Sequence, residues 1–200
     1  MSLANTLRLS GALKNDDWEQ HVQAIPKQVV SLSFVCKNAK NIMEIGFNAG
    51  HSCEVFLTCC HPESKVTTFD LMNHSYSEIG KNHFEKYYPG RVEFIEGTSE
   101  QQIPLYSFMH RNKTFDVIFI DGSRKYEVVY GDILTSKALA HEDTIIIMNV
   151  IVSRPSHMLY MNDGPMRAWK EAIQKGHVME LSQEDYNVRG QGMAIGRYCS

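Results

Sequence analysis

Residues Asn41 to Ser52 read NIMEIGFNAGHS, and this stretch decides the fold. Ile42, Met43 and Ile45 predict a short buried strand, Gly46 and Gly50 permit the sharp turn after it, and a helix opens at once. Amides at a helix start point at whatever fills such a turn, so the stretch has the outline of a nucleotide-type cofactor site. A dinucleotide fingerprint needs glycine at its first, third and sixth places, and here the third and sixth are Asn48 and His51. What remains is E-x-G-x-x-x-G, headed by Glu44.

Working outward, VTTFDL predicts a second strand that ends in Asp70, about 20 residues on from the glycine turn. VEFIEGTSEQQIP then puts Gly97, Thr98 and Ser99 at the end of a third strand, with Ser99 suited to cap the next helix. FDVIFIDGSRKYEVVYGDI is the second informative stretch. Val117 to Ile120 is wholly apolar, hence a central strand covered on both faces, and Asp121-Gly122 stand at its carboxyl end. Ligands of open α/β sheets bind at that end, and a carboxylate there is costly to hide without a cation or donors, so Asp121 has a physical reason to face a ligand.

The remaining pattern alternates strand and helix. Asp16 and Asp17 ahead of Trp18 start a helix that Pro26 divides from a second one, and residues 1 to about 15 form an arm or frayed helix. Glu78 to Tyr88 predicts a helix with Ile79, Phe84 and Tyr87 inward, Tyr126 to Leu139 another, and Thr144 to Met148 a fifth strand. Asn162-Asp163-Gly164-Pro165 opens a helix with proline in its first turn, and Val178 to Leu181 and Met193 to Tyr198 close the chain as an antiparallel pair. The sum is one α/β domain over residues 1–200, with an N-terminal arm or helix over 1–24 and a core over 25–200. Its architecture is a doubly wound, Rossmann-like seven-stranded sheet with an antiparallel last strand and helices on both faces.

Composition bounds the function. The 200 residues are 43% hydrophobic with a net charge of -3, and the pI is near 6.3. That is one core's worth of chain without the cationic field a nucleic-acid partner wants. No segment approaches the roughly 20 apolar residues of a membrane span, so a soluble, cytoplasmic protein acting on a small molecule is expected, and a homodimer is allowed. Cys36, Cys53, Cys59, Cys60 and Cys199 lack C-x-x-C spacing and read as reduced thiols, Cys59-Cys60-His61 included.

From about Ile25 to Tyr198 the chain resembles class I S-adenosylmethionine-dependent methyltransferases, and among them the small-molecule O-methyltransferases of catechol and macrolide-sugar type. Glu44, Gly46, Gly50 and Ser52 match the first motif, Asp70 the ribose acid, and Thr98 and Ser99 the adenine-lining residues. Ile103-Pro104, FDVIFIDG with Tyr126, and NDGPMRAW ending in Trp169 follow in order. The resemblance implies S-adenosylmethionine as cofactor, with Glu44 and the Gly46 turn holding its amino acid part. Asp70 would hold ribose, and Gly97, Thr98 and Ser99 the adenine edge. Phe47, Asn48, Leu71 and Met72 would line the same cleft. Asp121, with Gly122 beside it, would accept from the cofactor's ammonium or from the acceptor.

The departures concern metal and base. Metal-dependent members present an Asp at the end of the fourth strand and Asp-Asn or Asp-Asp at the end of the fifth. Here Asp121 and Asn149 fill two places, but the third is Met148, whose thioether suits a hard ion poorly. No metal is therefore expected. Ser123 and Arg124 replace the Asp and His of the macrolide branch. Lys125 falls near a catalytic lysine's place and serves as a base only if burial or neighbouring cations lower its pKa. Arg124 can hold an anionic acceptor by its planar fork. His110, His141 and His157 are further base candidates from other loops. The acceptor pocket is assigned to Asn5 to Gln23 and Ser153 to Asp163. The expected activity is O-methylation of a small hydroxylated acceptor. The alternatives are a cofactor-binding protein that has lost catalysis and a nicotinamide oxidoreductase, which the missing glycines count against.

Overall fold

Alternate side chains along the strands go to two separate cores, and this alternation places the helices. The structure is a computed structural model and describes residues 1–11, 25–149, 159–188 and 191–200. Its strands are β1 (Asn41–Ile45), β2 (Lys65–Asp70), β3 (Val92–Glu96), β4 (Phe115–Ile120), β5 (Ala140–Asn149), β6 (Val178–Val188) and β7 (Gln191–Tyr198). Its helices are α1 (Leu3–Leu9), α2 (Pro26–Val35), α3 (His51–Cys59), α4 (Ser75–Tyr87), α5 (Ser99–Met109), α6 (Tyr126–Ser136) and α7 (Leu159–Gln174). Ile42, Val117, Phe119 and Ile147 pack with Leu3, Leu7, Leu32, Phe56 and Phe84 on one face, which α1 to α4 cover. Met43, Ile45, Ile118, Ile120 and Met148 pack with Ile103, Tyr106, Val129, Ile133 and Trp169 on the other, covered by α5 to α7.

The seven strands run in the order β3-β2-β1-β4-β5-β7-β6. β1 pairs in parallel with both β2 and β4, and β7 is antiparallel to β5 and β6. The chain moves outward from β1 through β2 to β3, then returns to place β4 on the other side of β1. The carboxyl ends of β1 and β4 therefore form the switch point at which open α/β sheets bind ligands. The expected doubly wound sheet with its antiparallel last strand is the one observed. No described helix is long and apolar enough to cross a membrane.

Several boundaries differ from expectation. The N-terminal arm is a docked helix: Ser2 caps α1, Leu3 and Leu7 are buried, and the Leu3 amide donates to Glu54 Oε1 at 2.7 Å. The amphipathic signal of seven residues was too short to read. α4 begins at Ser75, three residues early, and Tyr87 is exposed at its last turn rather than inward. Thr98, not Ser99, is the N-cap of α5. α7 begins at Leu159, so Pro165 lies inside it. A proline there costs one helical hydrogen bond, while Gly164 brings the helix against the backbone before α6: a Cβ at Gly164 would lie 2.1 Å from the Arg124 carbonyl oxygen. The helix start at Asp16-Asp17-Trp18, His157, and residues 12–23 and 153–158 of the two segments assigned to the acceptor pocket lie outside the described residues.

Candidate active site

The turn after β1 is clamped from both sides. The Gly46 amide donates to the Phe69 carbonyl on β2 (2.9 Å), and the Asp121 amide after β4 donates to the Ile45 carbonyl (2.8 Å). Gly46 has φ +98°, and a Cβ there would stand 2.5 Å from the Asp121 carbonyl oxygen, so only glycine lets the two strand ends meet. Gly50 has φ +92°, and its missing side chain is replaced by the rings of Phe84 and Phe47. The same Phe47 ring meets Phe94 edge to face.

Asp70 ties the turn to β2. Its Oδ2 accepts the amides of Phe47 (2.8 Å) and Asn48 (3.1 Å), and its Oδ1 accepts the amide of Met72 (2.7 Å). A carboxylate has about four acceptor sites, so three amides leave capacity on Oδ1. Asn48 and Met72 both have positive φ, 52° and 53°, so the backbone turns left-handed at each of these donors. Behind the turn, Ser52 donates to the fully buried Glu44. Burial pushes the Glu44 carboxyl up to about 8, against the opposing hydroxyls of Ser52 and Thr68.

These elements frame a cleft of about 500 Å³ at the carboxyl edge of the sheet. Of the residues expected from the sequence, Gly46, Phe47, Asn48, Ser52, Asp70, Leu71, Gly97, Thr98, Ser99, Asp121, Gly122 and Lys125 line it. Leu71 is 52% exposed, an apolar side chain left open beside the cleft mouth. Glu44, Gly50 and Met72 stand behind the wall instead: Glu44 is sealed under Ser52, Gly50 is covered by two rings, and Met72 packs on the core while its amide reaches Asp70. The sequence reading missed His51, Asn73, His74 and Tyr76 on the wall, the last two stacked with ring centroids 4.7 Å apart. Their signal was positional, since they follow the helix turn and Asp70 directly.

A profile of the methyltransferase domain family matches residues 43–149, over half of the chain, from within β1 to the end of β5. The chain belongs to the methyltransferase domain family. Among solved structures, the O-methyltransferase from Bacillus cereus in complex with SAH is similar at 17% identity and TM-score 0.72, covering 98% of this chain and 90% of that one. The O-methyltransferase TomG from Streptomyces achromogenes, involved in tomaymycin synthesis and solved with SAM, is similar at 15% identity and TM-score 0.74, with 99% and 89% covered. The SAH-bound methyltransferase PaMTH1 of Podospora anserina gives 16% identity and TM-score 0.72, with 99% and 88% covered. At such identities the likeness is one of fold. No curated protein matches the chain.

The end of the cleft at β4 and β5 holds Asp121, Arg124 and Asn149. Arg124 places both terminal nitrogens 3.2 Å from Asp121 Oδ1. Burial pushes the Asp121 carboxyl up, opposed by Arg124 and by a hydrogen bond from Asn149. Asn149 Oδ1 in turn accepts from Gln28 Nε2 of α2 at 2.9 Å. Met148 is 1% exposed and packs in the core on the α5 to α7 side. As oxygen donors for a hard cation these residues fit poorly: one carboxylate already carries a guanidinium, one amide oxygen is taken, and the thioether faces away.

The base candidates are not brought together. Lys125 lines the cleft but is exposed, so of the two conditions set for its role as a base, burial and neighbouring cations, the first is not met; its amide donates to Ser123 Oγ at 3.1 Å. His141 lies at the opposite edge of the sheet, its Nε2 3.2 Å from Asp116 Oδ1 at the start of β4. His110 follows α5, stacked on Tyr106 at 4.1 Å and bonded to its carbonyl. No described group of three or more His, Cys, Asp or Glu side chains forms a metal cluster, and the described cysteines are free thiols.

Proposed function

We propose that this methyltransferase takes its methyl group from S-adenosylmethionine and places it on a hydroxyl oxygen of a small acceptor, without a divalent metal. The observation that carries the reading is the glycine turn clamped between Asp70 and Asp121 at the switch point, opening on a cleft of about 500 Å³. Similar folds solved as O-methyltransferases with SAM or SAH support the cofactor and the oxygen acceptor.

The residues suit that cofactor. Asp70 Oδ1 keeps acceptor capacity for a ribose hydroxyl, Gly97, Thr98 and Ser99 with Leu71 present a small, partly apolar edge for adenine, and the backbone from Gly46 to Asn48 faces the amino acid end with Asp121. Glu44 and Ser52 brace the turn from behind, and Gly50 and Met72 shape its backbone. When bound, S-adenosylmethionine supplies an electrophilic methyl carbon on a sulfonium. The chain's share is then orientation and exclusion of water. Asp121, with Gly122 packed on Ile45 beneath it, is assigned to positioning at the acceptor end, and Lys125 to its mouth.

The test is turnover by chelator-treated protein with isotope-labelled S-adenosylmethionine and a panel of phenolic and aliphatic hydroxy compounds. Acceptor-dependent appearance of labelled methyl ether, unchanged by added magnesium, is the expected result. Cofactor binding without product across the panel favours a lapsed enzyme, and product only with magnesium refutes the metal-free reading.

A further inference from the structure

We propose that Arg124 is the fixed positive charge at the β4–β5 end of the cleft and that it holds the acceptor's oxygen as an oxyanion. The inference rests on the methyl-transfer reading above. Ile120 and Met148 are register partners on β4 and β5, so the next residues, Asp121 and Asn149, stand side by side at the sheet edge. In place of converging oxygens, Gln28 donates to the Asn149 amide oxygen beside Asp121, and Asp121 faces a guanidinium.

Arg124 is presented, not merely tolerated. Its side chain is 36% exposed and lines the cleft while Asp121 is only 12% exposed, so the carboxylate is the buried anchor and the cation is the reachable partner. The backbone under it is held by α7, where Gly164 leaves no room for a Cβ over the Arg124 carbonyl or the Tyr126 amide. Arg167 of α7 also lies over the Tyr126 ring at 4.6 Å. A guanidinium offers five N–H donors in a planar fork, more than one carboxylate oxygen uses, and a fixed cation beside the acceptor stabilises charge developing on oxygen.

The pairing also selects substrates. Asp121 offsets part of the guanidinium charge, so the site assists ionisation less than a dication does and favours hydroxyls that are already acidic: phenols and enols over alcohols. In the transfer, the acceptor's hydroxyl proton goes to water and the resulting oxyanion forms the bond to the methyl carbon. The sulfonium–carbon bond breaks with both electrons left on sulfur.

The experiment titrates the chelator-treated protein, loaded with S-adenosylhomocysteine, with 4-nitrophenol and 4-nitrocatechol at a pH below each phenol's own pKa, following the nitrophenolate absorption band. Wild type should develop the band on binding, with or without magnesium. Arg124→Gln should lose about tenfold or more in affinity for the phenolate, while Arg124→Lys, which keeps the charge but not the fork, keeps part of it. No band with wild type, an unchanged band with Arg124→Gln, or a band that needs magnesium overturns the proposal. Calorimetric binding of S-adenosylhomocysteine is measured on every variant. Normal binding by Arg124→Gln shows that the cleft is intact, whereas its absence in wild type defeats the methyl-transfer reading itself and this inference with it.

Discussion

Asp70 joins three amides that would otherwise belong to two independent loops, and Gly46 lets the backbone of one strand end touch another. Both were legible as residue types because their chemistry is specific: a left-handed turn in close contact excludes a Cβ, and an acid at a parallel strand end needs donors. Gly46→Ala should destabilise the fold by about 1–3 kcal/mol and weaken S-adenosylhomocysteine binding, as read by urea unfolding and calorimetry; an unchanged midpoint would refute the contact. Glu44 was legible as a motif residue but not as a buried acid, because burial depends on β2 and α3 packing around it. An acid whose pKa is raised on folding stabilises the native state fully below its ordinary value near 4.5, and that contribution is lost as pH rises toward about 8. Glu44→Gln should therefore flatten the fall in unfolding midpoint across that window and be relatively more stable at its upper end. Parallel curves for the two proteins would place the titration elsewhere.

At the scale of elements, the strands were readable and the terminal helices were not. A parallel strand covered on both faces must be apolar throughout, and Val117 to Ile120 satisfies this without help from its surroundings. α1 has only Leu3 and Leu7 to declare itself, yet both are fully buried, and its first amide is satisfied by Glu54 from α3. Leu7→Ala should cost about 2–5 kcal/mol in urea unfolding if α1 is part of the core; a loss near zero would mean that the helix contributes nothing to stability. α7 misled for a different reason. Asn-Asp-Gly-Pro looks like a helix start, but the helix runs through it, and Gly164 serves the contact with the Arg124 backbone instead of a cap. Local propensity yields there to tertiary packing.

For the whole molecule, strand order divides the polar residues into two populations. Asp116, His141 and the amides of Lys40 and Asn41 meet at the amino edge, where Asp116 Oδ2 accepts both amides at 2.7 and 2.8 Å. Asp70, Asp121 and Asn149 meet at the carboxyl edge, a strand length away. Composition and spacing could not sort histidines between these edges, which is why His110 and His141 were indistinguishable from base candidates before the fold was known. The bond from Gln28 to Asn149 beside Asp121 was equally invisible, since it joins residues 121 positions apart.

The central claim, that the clamped turn and Asp70 form an S-adenosylmethionine site, is tested most directly by isothermal titration of chelator-treated protein with S-adenosylhomocysteine, with NADH as control and Asp70→Ala as variant. The account predicts saturable binding to wild type, none of NADH, and a loss of about tenfold or more in Asp70→Ala, as befits removal of a charge-assisted acceptor. Equal affinity in the variant, or binding of NADH in preference to S-adenosylhomocysteine, would contradict it.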